Sequence, residues 1–146
     1  MEIYTIGHKE TSAREFFETL KRHRVRRLID VRLINNNVFV TFTKRDDLEY
    51  FLGEICGAEY IHDTSLAPTK ELLDAYREGR ASWDDYEREF GLLLRRRAVE
   101  DRLDKALFNE RTVLLCSEVE ADHCHRRLVA EYLSERWGGG VVITHL

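Results

Sequence analysis

The chain has 146 residues, 43% of them hydrophobic and 34% charged, and its formal net charge is −4 at pH 7. This length and composition predict a single soluble domain over residues 1–146 and exclude a disordered or fibrous chain. The negative charge disfavours a protein that coats nucleic acid, because such binding needs a basic surface that displaces counterions.

The first part of the chain predicts a strand, a helix and a second strand. Residues 2–6 alternate apolar with polar side chains, which is typical of a strand, and Gly7 and His8 then end it. Ser12 and Glu15 have the spacing of a capping box, which predicts that a helix begins there. Residues 27–32 predict a second strand, and parallel pairing with the first would make a βαβ unit.

The middle of the chain is predicted to be mostly helical. Residues 33–42 form a loop, after which Thr43 resembles the N-cap of a helix that Gly57 ends. Residues 58–62 predict a short third strand. A helical region opens at Pro68, and Ser82 caps the longest helix, which runs to about residue 97.

The last part of the chain contains the clearest strand. Residues 111–116 form a near-continuous apolar run, which is typical of a central strand buried on both faces of a parallel sheet. A helix from about Asp122 or His123 to Trp137 follows, and three glycines separate it from a final strand over residues 141–145. This order predicts an α/β fold: a three-layer, mainly parallel Rossmann-like sheet with helices on both faces.

Polar side chains lie at or just beyond the predicted strand ends. They are His8, Arg32, Cys116, Glu118 and His145. In open α/β sheets ligands bind outside the carboxyl ends of the strands, so we expect a site at this edge.

Two cysteines and two histidines are the candidates for catalysis at this edge. Cys124 is predicted in the first turn of the last helix, where the helix dipole favours a thiolate, so we favour it over Cys116 as the reactive thiol. His125 is expected to point toward the sheet, and either it or His8 would carry protons. The alternative for Cys116 is a buried packing residue, because cysteine is among the most buried residue types.

Four charged residues are the candidates for binding a ligand. Arg32 and Arg126 would hold an anion, and Arg126 would pair with a carboxylate such as Glu118 or Asp30. The alternative is that Asp30 and Arg32 form an internal ion pair with no role in catalysis.

We expect neither a metal nor a cofactor. Seven residues separate Cys116 from Cys124, which is wider than a zinc knuckle, and a four-ligand site would need His8 or His145 from elsewhere in the chain. Nucleotide-binding glycine motifs and a serine-hydrolase elbow are absent from the sequence.

The chain resembles the family named domain of unknown function 488 over nearly its full length. The motifs that carry the resemblance are Tyr4-Thr-Ile-Gly-His8, Asp30-Val-Arg32, Phe42-Thr-Lys44, Glu59-Tyr-Ile-His62, Leu66-Ala-Pro-Thr-Lys-Glu-Leu-Leu73, residues 83–86, Leu115-Cys-Ser-Glu118 and His123-Cys-His-Arg-Arg-Leu128. The resemblance implies an α/β fold and a shared polar site, but no assigned reaction.

Asp30-Val-Arg32 and a cysteine after a central strand also resemble rhodanese-like domains. The glycine-rich stretch that would supply amides to that cysteine is absent, which argues against sulfur transfer.

Two classes of function remain open at this point. The first is an enzyme or sensor that binds an anionic small molecule, or a nucleic-acid end, at a crevice of Cys, His and Arg side chains. The second is a binding or assembly module in which that cluster is structural. Basic runs at residues 21–27 and 95–97 leave nucleic acid open as a partner, although such runs are usually solvated helix ends. The apolar runs are too short for a membrane span, so we expect no membrane partner. The N-terminus enters a strand directly, so we expect no signal peptide. We therefore expect a cytoplasmic location, where the three cysteines would be thiols.

Overall fold

A computed structural model describes residues 1–118 and 121–146. Within these residues, one sheet contains five parallel strands in the order β3-β2-β4-β1-β5. The strands are β1 (Glu2–Ile6), β2 (Arg27–Asp30), β3 (Glu59–His62), β4 (Thr112–Leu115) and β5 (Val142–His145). The parallel sheet with its helices confirms the predicted three-layer α/β fold.

The centre of the sheet is β4, whose four residues are all buried. Its Val113 lies opposite Tyr4 of β1 on one side and opposite Leu28 of β2 on the other. The expected direct pairing of β1 with β2 is therefore wrong, because the most apolar strand lies between them. A strand this apolar avoids water best where neighbouring strands cover both its edges and helices cover both its faces.

Six α-helices lie in the described part of the chain: α1 (Ala13–Arg22), α2 (Arg45–Phe51), α3 (Lys70–Arg77), α4 (Trp83–Arg97), α5 (Val99–Arg102) and α6 (His125–Arg136). The hydroxyl of Ser12 caps α1, and a complete capping box of Ser82 and Asp85 begins α4, as predicted. These two helix starts depend on residues three apart in sequence, which is why the sequence alone predicts them.

Two helix starts differ from the prediction. Helix α2 begins at Arg45 with Lys44 as its N-cap, because both oxygens of Thr43 are contacted by Arg32 instead. It continues into a π-helical turn, Leu52–Cys56, which Gly57 ends with a left-handed backbone at φ 61°. Helix α6 begins at His125, two or three residues later than expected, so Cys124 is its N-cap and does not lie in its first turn.

The alternation of side chains along β4 divides the core between the two faces of the sheet. Val113 and Leu115 pack with Phe16 and the other apolar residues of α1 and α2. Leu114 and Cys116 point to the opposite face and pack with the apolar residues of α4 and α6. The period of two in a strand thus directs Cys116 toward α6.

Across the described residues, no helix has both the length and the apolar character needed to cross a bilayer.

Candidate functional site

A cavity of about 100 Å³ opens at the carboxyl end of the sheet, above β2 and β4. It is called the crevice below. Its walls come from the residues that follow β2, from α3 and α4, from the residues directly after β4, and from the residues at the start of α6. The lining residues are 32–34, Leu73, Tyr76, Arg77, Trp83, Tyr86, 116–118 and 123–125. The predicted location of a site at this edge therefore coincides with a cavity.

Cys116 and His125 are in direct contact in the crevice. The Sγ atom of Cys116 lies 3.2 Å from Nδ1 of His125, and Nε2 of His125 lies 2.7 Å from the carbonyl oxygen of Val31. A carbonyl can only accept, so Nε2 carries the hydrogen and donates it. Nδ1 therefore faces the sulfur, where it either accepts from the thiol or, once protonated, donates to the thiolate. The pair has the arrangement of a nucleophile beside an oriented general base.

The surroundings of Cys116 favour its thiolate. Burial raises the pKa of this thiol, but hydrogen bonds from the Cys124 thiol and from the backbone N–H groups of Ser117 and Glu118, together with the charge of Arg126, outweigh burial and lower the pKa below its ordinary value. The sequence has no glycine-rich stretch after the cysteine, yet two backbone amides still point at its sulfur. This amide cradle was missed because it depends on loop conformation.

Cys124 has the opposite electrostatic character. Its hydrogen bond with Cys116 and its burial both raise the pKa of its thiol. Because α6 begins one residue after Cys124, this side chain does not gain the amide contacts expected in a first helical turn. The structure therefore favours Cys116 as the thiolate and Cys124 as the donor beside it, which reverses the order of preference drawn from the sequence.

Three donors that suit a metal ion lie close together in space. The Sγ atoms of Cys116 and Cys124 and a ring nitrogen of His125 are all within 4.8 Å of one another, and all three residues are buried. The wide spacing of the cysteines in sequence thus gives no argument against a metal, because their sulfur atoms are close together in the folded protein. Neither His8 nor His145 belongs to this group among the described residues. The donor set would suit a soft divalent ion such as Zn²⁺, with its fourth position open.

Asp30 and Arg32 form an internal ion pair, which was the alternative to ligand binding, on the other face of the sheet from Cys116. Nε and Nη2 of Arg32 donate to the two carboxylate oxygens of Asp30 at 2.8 and 2.7 Å, and both residues are buried. The hydroxyl of Tyr60 donates to the same carboxylate at 2.7 Å, and burial and the charge of Asp30 raise the pKa of this tyrosine, so it stays a donor. Asp30 is therefore occupied by Arg32 and Tyr60 and does not pair with Arg126.

One nitrogen of Arg32 has donor capacity to spare for a ligand. Nη2 is fully used by Asp30 and the carbonyl of Thr43, whereas Nη1 makes only long contacts, 3.4 Å to the Thr43 hydroxyl and 3.5 Å to Nε2 of His8. Arg32 also lines the crevice. An anion that reached Nη1 could thus accept hydrogen bonds from it without breaking the ion pair.

Within the part of the chain that the structure describes, Arg126 contacts the backbone of Glu118 rather than the carboxylate of Glu118 or Asp30. Its Nη1 donates to the carbonyl oxygen of Glu118 and its Nε donates to the hydroxyl of Thr5 at 3.3 Å, and the residue is 1% exposed. The carboxylate of Glu118 instead pairs with Lys9 at the surface, at 2.8 Å. Arg126 thus supports the segment that carries the amides facing Cys116, and a role in anion binding remains a prediction.

Gly7 is a site residue that the sequence did not reveal. A Cβ atom at this position would lie 1.6 Å from the carbonyl oxygen of Glu118 and 2.8 Å from Nη1 of Arg126. The backbone amides of His8 and Lys9 also donate to the carbonyl of Ser117. Only glycine lets the end of β1 approach the loop after Cys116 this closely. The one signal in the sequence was a glycine directly after a predicted strand.

An aromatic wall completes the crevice and was also missed as part of a site. Trp83 stacks on Tyr86 with ring centroids 5.3 Å apart and contacts the ring of His123 at 4.9 Å, while Tyr76 meets Trp83 edge-on at 5.6 Å. In the sequence, residues 83–86 and His123 stand out only as parts of family motifs, and Tyr76 has no role in a site. Their convergence depends on how α3 and α4 pack, which periodicity does not show.

His8 is expected to make the protein less stable in mild acid. Burial, followed by the charge of Arg32, lowers the pKa of His8 from 6.5 to about 4. Between these two values the unfolded chain binds a proton that the folded chain does not, so the free energy of unfolding should fall as the pH drops from 6.5 to 4. Urea titrations at several pH values measure this. The variant His8→Gln should lose less stability over the same interval, and an identical pH dependence in both proteins would contradict the prediction.

Comparison with known proteins assigns the chain to a family. Searches among curated proteins and among solved structures find no match. The family model described as "Domain of unknown function DUF488" matches residues 12–133. The match includes β2, β4 and the start of α6, and with them Asp30, Arg32, Cys116 and His125. The chain therefore belongs to the DUF488 family, as its motifs indicated.

Proposed function

We propose that this protein is a thiol-dependent enzyme that acts on a small anionic molecule, with Cys116 as nucleophile and His125 as general base. The observation that carries the proposal is the 3.2 Å contact between Cys116 Sγ and His125 Nδ1, with the ring orientation fixed by Val31. A base held by a third group beside a nucleophile is the common arrangement for covalent catalysis on unrelated folds.

The proposed chemistry uses each contact of the pair. The proton of Cys116 passes to Nδ1 of His125, and the thiolate is held by the amides of Ser117 and Glu118 and by the Cys124 thiol. The sulfur then forms a bond to an electrophilic atom of the substrate, whose leaving group takes the proton from Nδ1. In a second step water attacks the adduct and gives a proton to His125, the bond between the sulfur and the substrate breaks, and His125 returns the proton to Cys116.

The proposed substrate class follows from the charges around the crevice. Arg32 and Arg77 both line the crevice, so an anionic group would find two cationic residues there. The volume of about 100 Å³ suits a small molecule or a terminal group of a larger one, such as a nucleic-acid end. All three cysteines are free thiols, and we place the protein in the cytoplasm, where thiols stay reduced.

The competing class is a binding or assembly module in which the cluster is structural. Two charged residues of the site favour this class, because Asp30 and Arg126 are buried and engaged with other protein groups. The two classes differ in what they require of Cys116. A structural cysteine needs only to be buried, whereas a nucleophile must react from the folded state at a rate that depends on its base.

The rate of alkylation of Cys116 by iodoacetamide at pH 7 separates these classes. The variant His125→Gln keeps an amide donor for the Val31 carbonyl but has no base, and it should react about 100-fold more slowly or worse. Peptide mass spectrometry assigns the modified cysteine. Cys56→Ser is the matched control and should leave the rate unchanged, because Cys56 packs near the Phe17 carbonyl on the opposite face of the sheet.

Two results would overturn the proposal. In the first, Cys116 reacts only when the wild-type protein unfolds, or at the same rate in wild type and in folded His125→Gln. In the second, Cys116 becomes reactive only after a chelator removes one equivalent of bound metal, which would assign Cys116, Cys124 and His125 to metal binding.

A further inference from the structure

The second buried thiol of the crevice has no part in the proposed reaction beyond its hydrogen bond. Cys124 is 2% exposed and lines the crevice together with Cys116. Their sulfur atoms lie within 4.8 Å of each other, and the Cys124 thiol donates to Cys116. Two thiols that share a cavity, one of them beside a base, form a unit that a single oxidant can convert to a disulfide.

We propose that Cys124 is a resolving thiol: a small hydroperoxide oxidises Cys116 to a sulfenic acid, and Cys124 converts this to a Cys116–Cys124 disulfide. The inference rests on the proposed function in one respect, namely that Cys116 is the reactive thiol. It goes beyond that function because it names a second chemistry for the site and a role for Cys124.

The two steps balance with the hydroperoxide as the only oxidant. The Cys116 thiolate attacks one peroxide oxygen, the O–O bond breaks, and the departing alkoxide or hydroxide takes the proton that His125 received from Cys116. The sulfur of Cys124 then attacks the sulfenic sulfur, and hydroxide leaves with the Cys124 proton as water. Overall, two thiols and one hydroperoxide give one disulfide, one alcohol or water, and one water.

The position of Cys124 suits this role. It precedes α6 with an extended backbone, φ −134° and ψ 137°, so its side chain is not held in the regular spacing of a helix. A disulfide needs its sulfur atoms about 2 Å apart. Rotation of this one side chain can therefore bring its sulfur toward Cys116 while α6 stays packed on the sheet. Cys56 cannot compete, because it lies on the other face of the sheet.

The chain offers a convenient readout of the product. No lysine or arginine lies between Arg111 and Arg126, so trypsin releases residues 112–126 as one peptide that contains both Cys116 and Cys124. Reduced full-length protein treated with one equivalent of hydrogen peroxide should give this peptide about 2 Da lighter. The number of thiols titrated after denaturation should fall from the three free cysteines to one. Dithiothreitol should restore both values.

Two variants test the role of Cys124 separately from that of Cys116. In Cys124→Ser, and in Cys124→Ala as a second background, peroxide should leave a sulfenic acid on Cys116 that dimedone traps, and no disulfide should form. In Cys56→Ser the disulfide should form as in wild type. The inference is overturned if wild type and Cys124→Ser give the same sulfenic and sulfinic products, or if the disulfide involves Cys56.

Different experimental results would reject this inference and the proposed function. Fast alkylation of Cys116 that depends on His125, without disulfide formation, would remove only the role of Cys124. A Cys116 that neither alkylates nor oxidises in the folded protein would remove both.

Discussion

Replacing Asp30 with Asn is expected to lower the free energy of unfolding by roughly 3–5 kcal/mol, because it leaves the buried charge of Arg32 without its partner. Asp30 is 0% and Arg32 3% exposed, so water cannot take the place of the lost carboxylate charge. The amide is close in shape to the carboxylate, so the change isolates the charge from the packing. Urea unfolding at pH 7 followed by circular dichroism measures the effect.

Two matched variants give reference values for the loss of unfolding free energy in Asp30→Asn. Tyr60→Phe removes the hydrogen bond that the hydroxyl donates to the same carboxylate and the one that it accepts from Asn35, and it should cost about 1.5–3 kcal/mol. Glu59→Gln, at the residue before Tyr60, breaks a surface ion pair with Arg27 of the neighbouring strand β2 and should cost at most about 1 kcal/mol. If Asp30→Asn lies within the range of Glu59→Gln, the buried pair stabilises the fold no more than a surface pair does.

Gly7→Ala should damage the site as well as the fold. The added Cβ would overlap the carbonyl oxygen of Glu118, which must move, and overpacking of this kind costs about 1–3 kcal/mol. The same movement displaces the amides of Ser117 and Glu118 from the sulfur of Cys116, so its alkylation should slow even in conditions where the variant is fully folded. Urea unfolding and the iodoacetamide rate measure the two effects independently.

The control for Gly7 is another glycine with free space around it. A Cβ atom added at Gly91 would meet no atom within 4 Å. Gly91 lies within α4, so alanine there should stabilise the protein by about 0.5–1 kcal/mol and leave the reaction of Cys116 unchanged. A Gly7→Ala protein as stable and as reactive as Gly91→Ala would show that the end of β1 does not hold the loop after Cys116.

These variants divide the site into two halves with different physical roles. Strand alternation directs Cys116 toward α6, whereas Asp30 and Arg32 lie with Tyr60 and Thr43 on the opposite side of the sheet. The ionic half is stabilised by hydrogen bonds within the protein, and Nη1 of Arg32 makes only the long contacts to Thr43 and His8 among the described residues. The thiol half carries the reactive groups. Stability should therefore respond most to Asp30, and reactivity most to His125.

Sequence alone was enough where the deciding interactions are local. The alternation of β1, the apolar run of β4 and the capping pairs of Ser12 and Ser82 involve residues a few positions apart, and all these elements are present. From the strands followed the parallel α/β fold, and from the fold followed the position of a site at their carboxyl ends, because this edge gathers the loops after parallel strands.

Tertiary structure decided everything that depends on which distant groups meet. It placed β4 between β1 and β2, and it made Thr43 a hydrogen-bond partner of Arg32 rather than a helix cap. It also brought Arg126 to the backbone carbonyl of Glu118, whose carboxylate pairs with Lys9. It also started α6 after Cys124, which shifted the favoured thiolate to Cys116. Local patterns report which residues are polar and near a strand end, but a hydrogen-bond partner is chosen by distance and direction in the folded chain, and these are set by packing.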